Sequence, residues 1–387
     1  MTIRFALQKP EYADGTFIIG AKGALIAVLS WANADGALPD WTPFAYVPLD
    51  PYGNGEFQYS GQRAIPLEAT GIHMRCIASD FRDKGELISE IPKEFLPKEH
   101  SEDLIFRASI LTDFHLSGKP WKTRQALLAS ESDIIFLLGD LTNDGLPMQL
   151  DIFRQSINEL VPNKTIFPIP GNHDVPLLPE ADREKGYDAF QREILSTSCR
   201  KEGFQKIDAD DFGDYCARRK EVNIIGLRCV SEGKRVVFPN GKAQLQWFEN
   251  CLNHNDDALW QILLCHAPLL AHNPQRAIGE PYLSRDHAMR GILEQHHNII
   301  YLSGHTHFSP NALTPSVEFD NSTKNVYANC GSIVPTQLKG NELLPSDWTD
   351  GIVTELALSE REISIRAASI SRKINFSRGY YRWHIAD

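Results

Sequence analysis

From Leu104 onward the chain carries a series of strand-length runs that are apolar almost throughout, and most of them end at once in Asp, Asn, His or Gly. The runs are Leu104–Thr112, Asp133–Leu138, Thr165–Ile169, Trp260–Cys265 and Asn298–Ser303, with a further strand-like run at Val222–Val230. A strand with one wet face alternates apolar and polar residues, whereas a continuously apolar strand must be covered on both faces. The stretches Trp121–Ser130, Leu146–Leu160, Lys242–His254 and Asp286–His297 have helical character and supply that cover. The pattern predicts an α/β core, with two more strands in the tail at Gly351–Leu358 and Glu362–Ile370.

The first part of the chain has another texture. Short β-prone runs at Thr16–Ile19, Ala24–Trp31, Ala45–Val47, Phe57–Tyr59 and Gly71–Ser79 are separated by Gly, Pro, Asn and Asp. This spacing predicts a small all-β, sandwich-like domain of antiparallel strands. Cys76 is its only cysteine, so no disulfide joins its sheets. Trp31, Trp41, Phe44 and Tyr46 are read as sandwich core rather than a ligand platform. Pro92, Pro97 and the charged stretch Lys98–Asp103 read as a linker. The expected division is therefore 1–98 and 104–387.

Composition excludes several classes. Among 387 residues, 42% are hydrophobic and 23% charged, which suits a folded globular chain. The formal charge of −11 argues against a general nucleic-acid binder, which needs a basic face to displace counterions. No run approaches the roughly 18 apolar residues of a membrane span, and the start lacks a signal-peptide core. The seven cysteines never form a Cys-x-x-Cys pair. They read as reduced, buried thiols, so a cytoplasmic protein with no membrane partner is expected. Oligomeric state is left open.

The polar residues beyond the runs define the candidate chemistry. They are Asp113-Phe-His115, Gly139-Asp140, Gly171-Asn172-His173-Asp174, His266, and Gly304-His305-Thr-His307. Open α/β sheets carry their sites at the carboxyl ends of strands. In an extended segment residues i and i+2 point the same way, so Asp113 with His115, and His305 with His307, would each aim two ligands at one place. Gly139, Gly171 and Gly304 leave room for close approach or a sharp turn. Carboxylate, imidazole and amide donors without thiolate suit Mn, Fe or Zn, with Co and Ni also compatible.

The order Asp-x-His, Gly-Asp, Gly-Asn-His-Asp, His, Gly-His-x-His resembles that of the calcineurin-like metallophosphoesterase superfamily. The resemblance implies a four-layer α/β sandwich and a dinuclear metal centre of two divalent or trivalent ions. It implies that Asp113, His115 and His307 hold one ion, that Asn172, His266 and His305 hold the other, and that Asp140 bridges both. It also implies a phosphoesterase in which a metal-bridging hydroxide attacks phosphorus and His173 protonates the leaving group, with Asn143 or Asp144 orienting that histidine.

The chain departs from the protein Ser/Thr phosphatases, which carry an Arg after the bridging Asp and end the third motif in Glu. Purple acid phosphatases have a Tyr where this chain has Asn143. The loop Gly139–Gly145 looks more like that of the bacterial cyclic-nucleotide-phosphodiesterase-like group. The implied substrate is a small phosphoester, with a phosphodiester such as a cyclic nucleotide preferred. Phosphomonoesters and nuclease substrates are the alternatives, and the retained His173 argues against a non-enzymatic scaffold of this fold. Lys119 and Arg276 are read as surface charge before phosphate contacts, and His272 as a solvated loop residue before a pocket one; Arg276 and Arg285 are the candidates for a distant clamp on a monoester. The loops Leu177–Gly186, Leu269–Leu283 and Phe308–Asn325 are expected to set selectivity.

Overall fold

The computed structural model describes residues 1–9, 14–59, 63–93, 104–116, 120–177, 181–199, 201, 203–210, 213–233, 235–272, 282–334, 351–371 and 374–385. The linker stretch 98–103, Lys119 and Arg276 lie outside the described residues.

Eight strands come first: β1 (Thr2–Lys9), β2 (Asp14–Gly20), β3 (Ile26–Asn33), β4 (Gly36–Ala37), β5 (Ala45–Pro48), β6 (Asn54–Tyr59), β7 (Gly71–Ile77) and β8 (Asp83–Glu90). They form two antiparallel sheets, β1-β2-β6 and β4-β3-β7-β8, with β5 also paired to β3. The sheets close on one apolar layer that includes Phe17, Leu29, Trp31, Phe44, Tyr59 and Met74. Trp31 stacks on Phe44 with ring centroids 4.3 Å apart, and Trp41 is also buried. Trp31, Trp41 and Phe44 are core as expected, whereas Tyr46 is only half-buried and lies outside this layer.

The α/β part opens with β9 (Phe106–Leu111), α1 (Trp121–Ala129), β10 (Ile134–Leu138), α2 (Pro147–Leu160), β11 (Thr165–Ile169) and α3 (Ala181–Ser198). Next come β12 (Gln205–Ala209), β13 (Tyr215–Arg219), β14 (Val222–Leu227), the hairpin β15 (Val230–Glu232) and β16 (Arg235–Val237), and α4 (Gly241–His254). It ends with β17 (Trp260–Cys265), α5 (His287–Leu293), β18 (Ile299–Ser303), β19 (Val317–Phe319), β20 (Val326–Asn329), β21 (Ile352–Leu358), β22 (Glu362–Ser369) and β23 (Asn375–His384). Two mixed sheets result, in the orders β11-β10-β9-β21-β22-β23 and β12-β13-β14-β17-β18-β20-β19.

β10 shows why its sequence is apolar at every position. Ile134, Phe136 and Leu138 face the layer between the two sheets, while Ile135 and Leu137 face the layer under α1, α2 and α3. On the other side, α4 and α5 cover the second sheet through Phe248, Leu252, Met289 and Leu293. The order is helices, sheet, sheet, helices: the expected four layers. Within them β9, β10 and β11 run parallel, as do β14, β17, β18 and β20.

Some expectations need correction. Residues 181–186, read as part of a selectivity loop, are the first turns of α3. Its mean polarity hides the burial of only Tyr187, Phe190, Gln191, Ile194 and Ser198. β19 lies inside the stretch read as a loop at Phe308–Asn325. Helix α5 is shorter than the stretch Asp286–His297. No helix among the described residues is long and apolar enough to cross a membrane.

Phe136 is fully buried, with ring centroids 6.0 Å from Phe106 and 5.9 Å from Phe167. Phe136→Ala is expected to lower unfolding free energy by about 3–5 kcal/mol, the range for deleting a large core side chain. Chemical denaturation measures it, and a loss under about 1 kcal/mol would show that the layer between the sheets is not close-packed.

Candidate metal centre

The site is built where the parallel strands of both sheets end. Asp113 and His115 follow β9, Asp140 follows β10, Asn172 and His173 follow β11, His266 follows β17, and His305 and His307 follow β18. The fold brings all eight sequence-predicted residues into one connected cluster.

Asp140 lies at its middle and is almost fully buried. Its Oδ2 is 3.6 Å from His115 Nε2 and 3.3 Å from His266 Nε2, and its Oδ1 accepts the His173 backbone N–H at 2.8 Å. On one side, His307 Nε2 is 3.3 Å from Asp113 Oδ1 and 3.0 Å from His115 Nε2. On the other, His266 Nε2 is 3.1 Å from both Asn172 Oδ1 and His305 Nδ1. Two nests of donor atoms therefore share Asp140.

The protein fixes which atoms face inward. His266 Nδ1 donates to the Leu138 carbonyl at 2.7 Å, so its neutral tautomer turns a lone pair toward the Asn172 oxygen and the Asp140 carboxylate. A lone pair facing oxygen acceptors in a buried site is unfavourable unless a cation or an extra proton lies between them. Without a metal the protons take that place. Burial opposes charge on His266, yet the Asp140 and Asp113 carboxylates override it and push the imidazole up to about 10. His305 goes the other way, down to about 3, through burial and the neighbouring His266. Burial works against the Asp140 carboxylate, but the surrounding imidazoles hold its pKa well below the usual carboxylate range. This set of carboxylate, imidazole and amide donors fits divalent metal of intermediate hardness.

The local backbone differs from the extended segments that residue spacing suggested. Asp113, His115, Asp140, His305 and His307 all have left-handed φ, at 55°, 45°, 49°, 71° and 55°. These side chains converge through strained turns rather than strand alternation. His305 and His307 accordingly part, one toward His266 and the other toward His115. The glycines also serve a different purpose: a Cβ on Gly171 would collide with Asp140, and one on Gly304 with Thr112 and Asp113. They admit a neighbouring ligand loop rather than an ion.

Residue-type reasoning missed several supports. His173 Nδ1 donates to the Asn143 backbone carbonyl at 2.9 Å, so neither the Asn143 nor the Asp144 side chain orients it. Asp144 is instead bonded to Gln149 at the start of α2. Thr112 Oγ1 donates to Asp113 Oδ2 at 2.8 Å, and Asn329 Nδ2 donates to the Gly304 carbonyl at 2.9 Å. Asp174, fully buried, accepts N–H bonds from Leu141 (3.1 Å), Thr142 (2.8 Å) and Gly171 (2.9 Å), tying the bridging-Asp loop to the Asn-His loop. Its place in Gly-Asn-His-Asp was the available signal; a carbonyl acceptor has none. His272 lies outside the cluster, stacked on Tyr327 at 3.7 Å and 3.2 Å from Glu318.

The chain belongs to the calcineurin-like phosphoesterase family, whose model matches residues 106–309. It is a metal-dependent phosphoester hydrolase. Among solved structures it is similar to PhoD at 11% identity and a TM-score of 0.46, over 99% of this chain and 92% of that one. It is also similar to Vacuolar Protein Sorting 29 from Cryptosporidium parvum (10% identity, TM-score 0.29, 74% of this chain and 100% of that one). A third is the 5'-nucleotidase from Candida albicans SC5314 (12% identity, TM-score 0.33, 71% of this chain and 51% of that one). No curated protein matches the chain.

Asp174→Ala leaves three buried N–H groups without their acceptor, each worth about 1–3 kcal/mol. The variant is expected to lose roughly 3 kcal/mol or more of stability and to retain less metal. Denaturation and elemental analysis check it; unchanged stability would contradict the role of Asp174 as the tie between the two loops.

Proposed function

We propose that this protein hydrolyses small phosphodiesters, cyclic nucleotides among them, at two metal ions, with Mn, Fe or Zn the best fit. Asp113, His115 and His307 would hold one ion, Asn172, His266 and His305 the other, and Asp140 both. The observation that carries this reading is the pair of inward-facing donor nests that share the Asp140 carboxylate. When bound, two such ions polarise a phosphoryl oxygen and make water a nucleophile near neutral pH. Residues 104–387 would form the catalytic domain and 1–98 an accessory one.

His173 supplies the proton. Its Nδ1–H is committed to the Asn143 carbonyl, and its ring lies edge-on to His115 with centroids 4.6 Å apart. Nε2 is then the atom left to protonate a leaving alkoxide as general acid. His173→Ala is expected to retain its metals and to lose about 10²–10⁴ in rate on esters with poor leaving groups. The loss should shrink on p-nitrophenyl esters, whose leaving group needs no proton. Equal losses across leaving groups would contradict the acid role.

Charge favours diesters. Of the four positive charges of two divalent ions, Asp113 and Asp140 would neutralise two and the hydroxide nucleophile a third, leaving about +1, and Gly139–Gly145 contains no Arg or Lys to clamp a dianionic monoester. A monoanionic diester balances the remaining charge without such a clamp. The expected result is kcat/KM for bis-p-nitrophenyl phosphate equal to or above that for p-nitrophenyl phosphate at one pH and metal loading. A clear monoester preference would overturn the diesterase reading and leave the phosphoesterase assignment standing.

A further inference from the structure

The ligand histidines at 305 and 307 both sit in left-handed backbone, which a non-glycine residue keeps only where its surroundings enforce it. Upstream, the His305 backbone N–H donates to the Asp113 carboxylate at 2.9 and 3.2 Å, and Gly304 N–H donates to the His266 carbonyl at 2.9 Å. Downstream, the chain turns within a few residues: Ala312 N–H donates to the Ser309 carbonyl at 3.1 Å. That turn is held from outside the α/β layers, by the N-terminal sandwich.

Arg63 makes the main contact. It is 2% exposed, and its Nη2 donates to the carbonyls of Ala312 at 2.6 Å and Leu313 at 2.9 Å. Among the described residues it has no carboxylate partner; its guanidinium lies 5.5 Å from the Tyr59 ring centroid. A buried charge without a counter-ion is costly, so a guanidinium spent on two loop carbonyls is a specific device rather than an incidental surface contact. Thr42 adds a second tie, its Oγ1 donating to Asn311 Oδ1 at 3.3 Å while accepting the Ser377 N–H at 3.0 Å. Asn311 Oδ1 also accepts the Arg378 N–H at 3.1 Å, and Arg378 Nε donates to the Phe44 carbonyl at 2.7 Å. The sandwich, β23 and the turn after His307 are thereby locked to one another.

We infer that Arg63, supported by Thr42, is a positioning residue for the metal centre: the N-terminal sandwich holds the His305–His307 loop in the strained form that binds metal. The inference rests on the ligand assignment above. It makes the N-terminal sandwich part of the metal site's framework.

The test is Mn²⁺ titration of metal-stripped full-length protein, followed calorimetrically, with thermal unfolding measured alongside. Arg63→Met is expected to fold and to weaken Mn²⁺ binding by about 10–100-fold, the usual cost of removing support from a ligand. The Mn²⁺ concentration for half-maximal turnover should rise by the same factor, and Arg63→Lys should recover part of the loss. If Arg63→Met does not fold, Thr42→Val is read instead, with a smaller weakening in the same direction. A folded Arg63→Met, or failing that a folded Thr42→Val, that binds Mn²⁺ like wild type overturns the inference, even if its melting temperature falls. Asp140→Ala separates the two readings. If it too binds like wild type, the ligand assignment has failed; if it loses Mn²⁺ while the Arg63 variant does not, only the positioning role has failed.

Discussion

A buried carboxylate shared by two nests of lone-pair donors is the constraint on which the rest of this structure depends. Among the described residues Asp140 has no Arg or Lys partner, and it is nearly inaccessible to water. Instead it faces His115 and His266 across 3.6 and 3.3 Å. Such an arrangement is held together by cations, whether protons on imidazole or metal ions. Everything nearby resists relaxation: carbonyls fix the rings of His266 and His173, the Asp174 carboxylate ties two ligand loops, and glycines let loops approach to contact.

The four-layer fold is what assembles these donors. Each sheet contributes donor side chains from the ends of its parallel strands, and the apolar layer between the sheets sets how closely those ends meet. That layer and the helix-covered layers outside it together account for the strands that are apolar on both faces. Stability and function are linked here through geometry: a shift between sheets would separate Asp140 from His266.

Much of this was legible in the sequence, for physical reasons. Strands covered on both faces announce themselves by unbroken apolarity, as at Ile134–Leu138, and the ligand types follow directly after them. What stayed hidden depended on contacts rather than composition. α3 is mostly polar and buries one narrow stripe, so residues 181–186 read as a loop. β23 mixes Ser, Arg and Tyr because it meets the N-terminal sandwich as well as β22. The left-handed turns at Asp113 and His305 violate local preference and are sustained by partners far along the chain. The Asn143 carbonyl behind His173 belongs to no residue type. Nothing in the sequence around Arg63 points to its carbonyl partners at Ala312 and Leu313.

The central claim is that Asp140 joins two metal ions into one centre. Electron paramagnetic resonance of protein stripped and reloaded with Mn²⁺ addresses it most directly, because ions bridged by one carboxylate couple magnetically. The account predicts an exchange-coupled dinuclear signal that is absent from Asp140→Ala. A spectrum of isolated, uncoupled Mn²⁺ at full loading would contradict it.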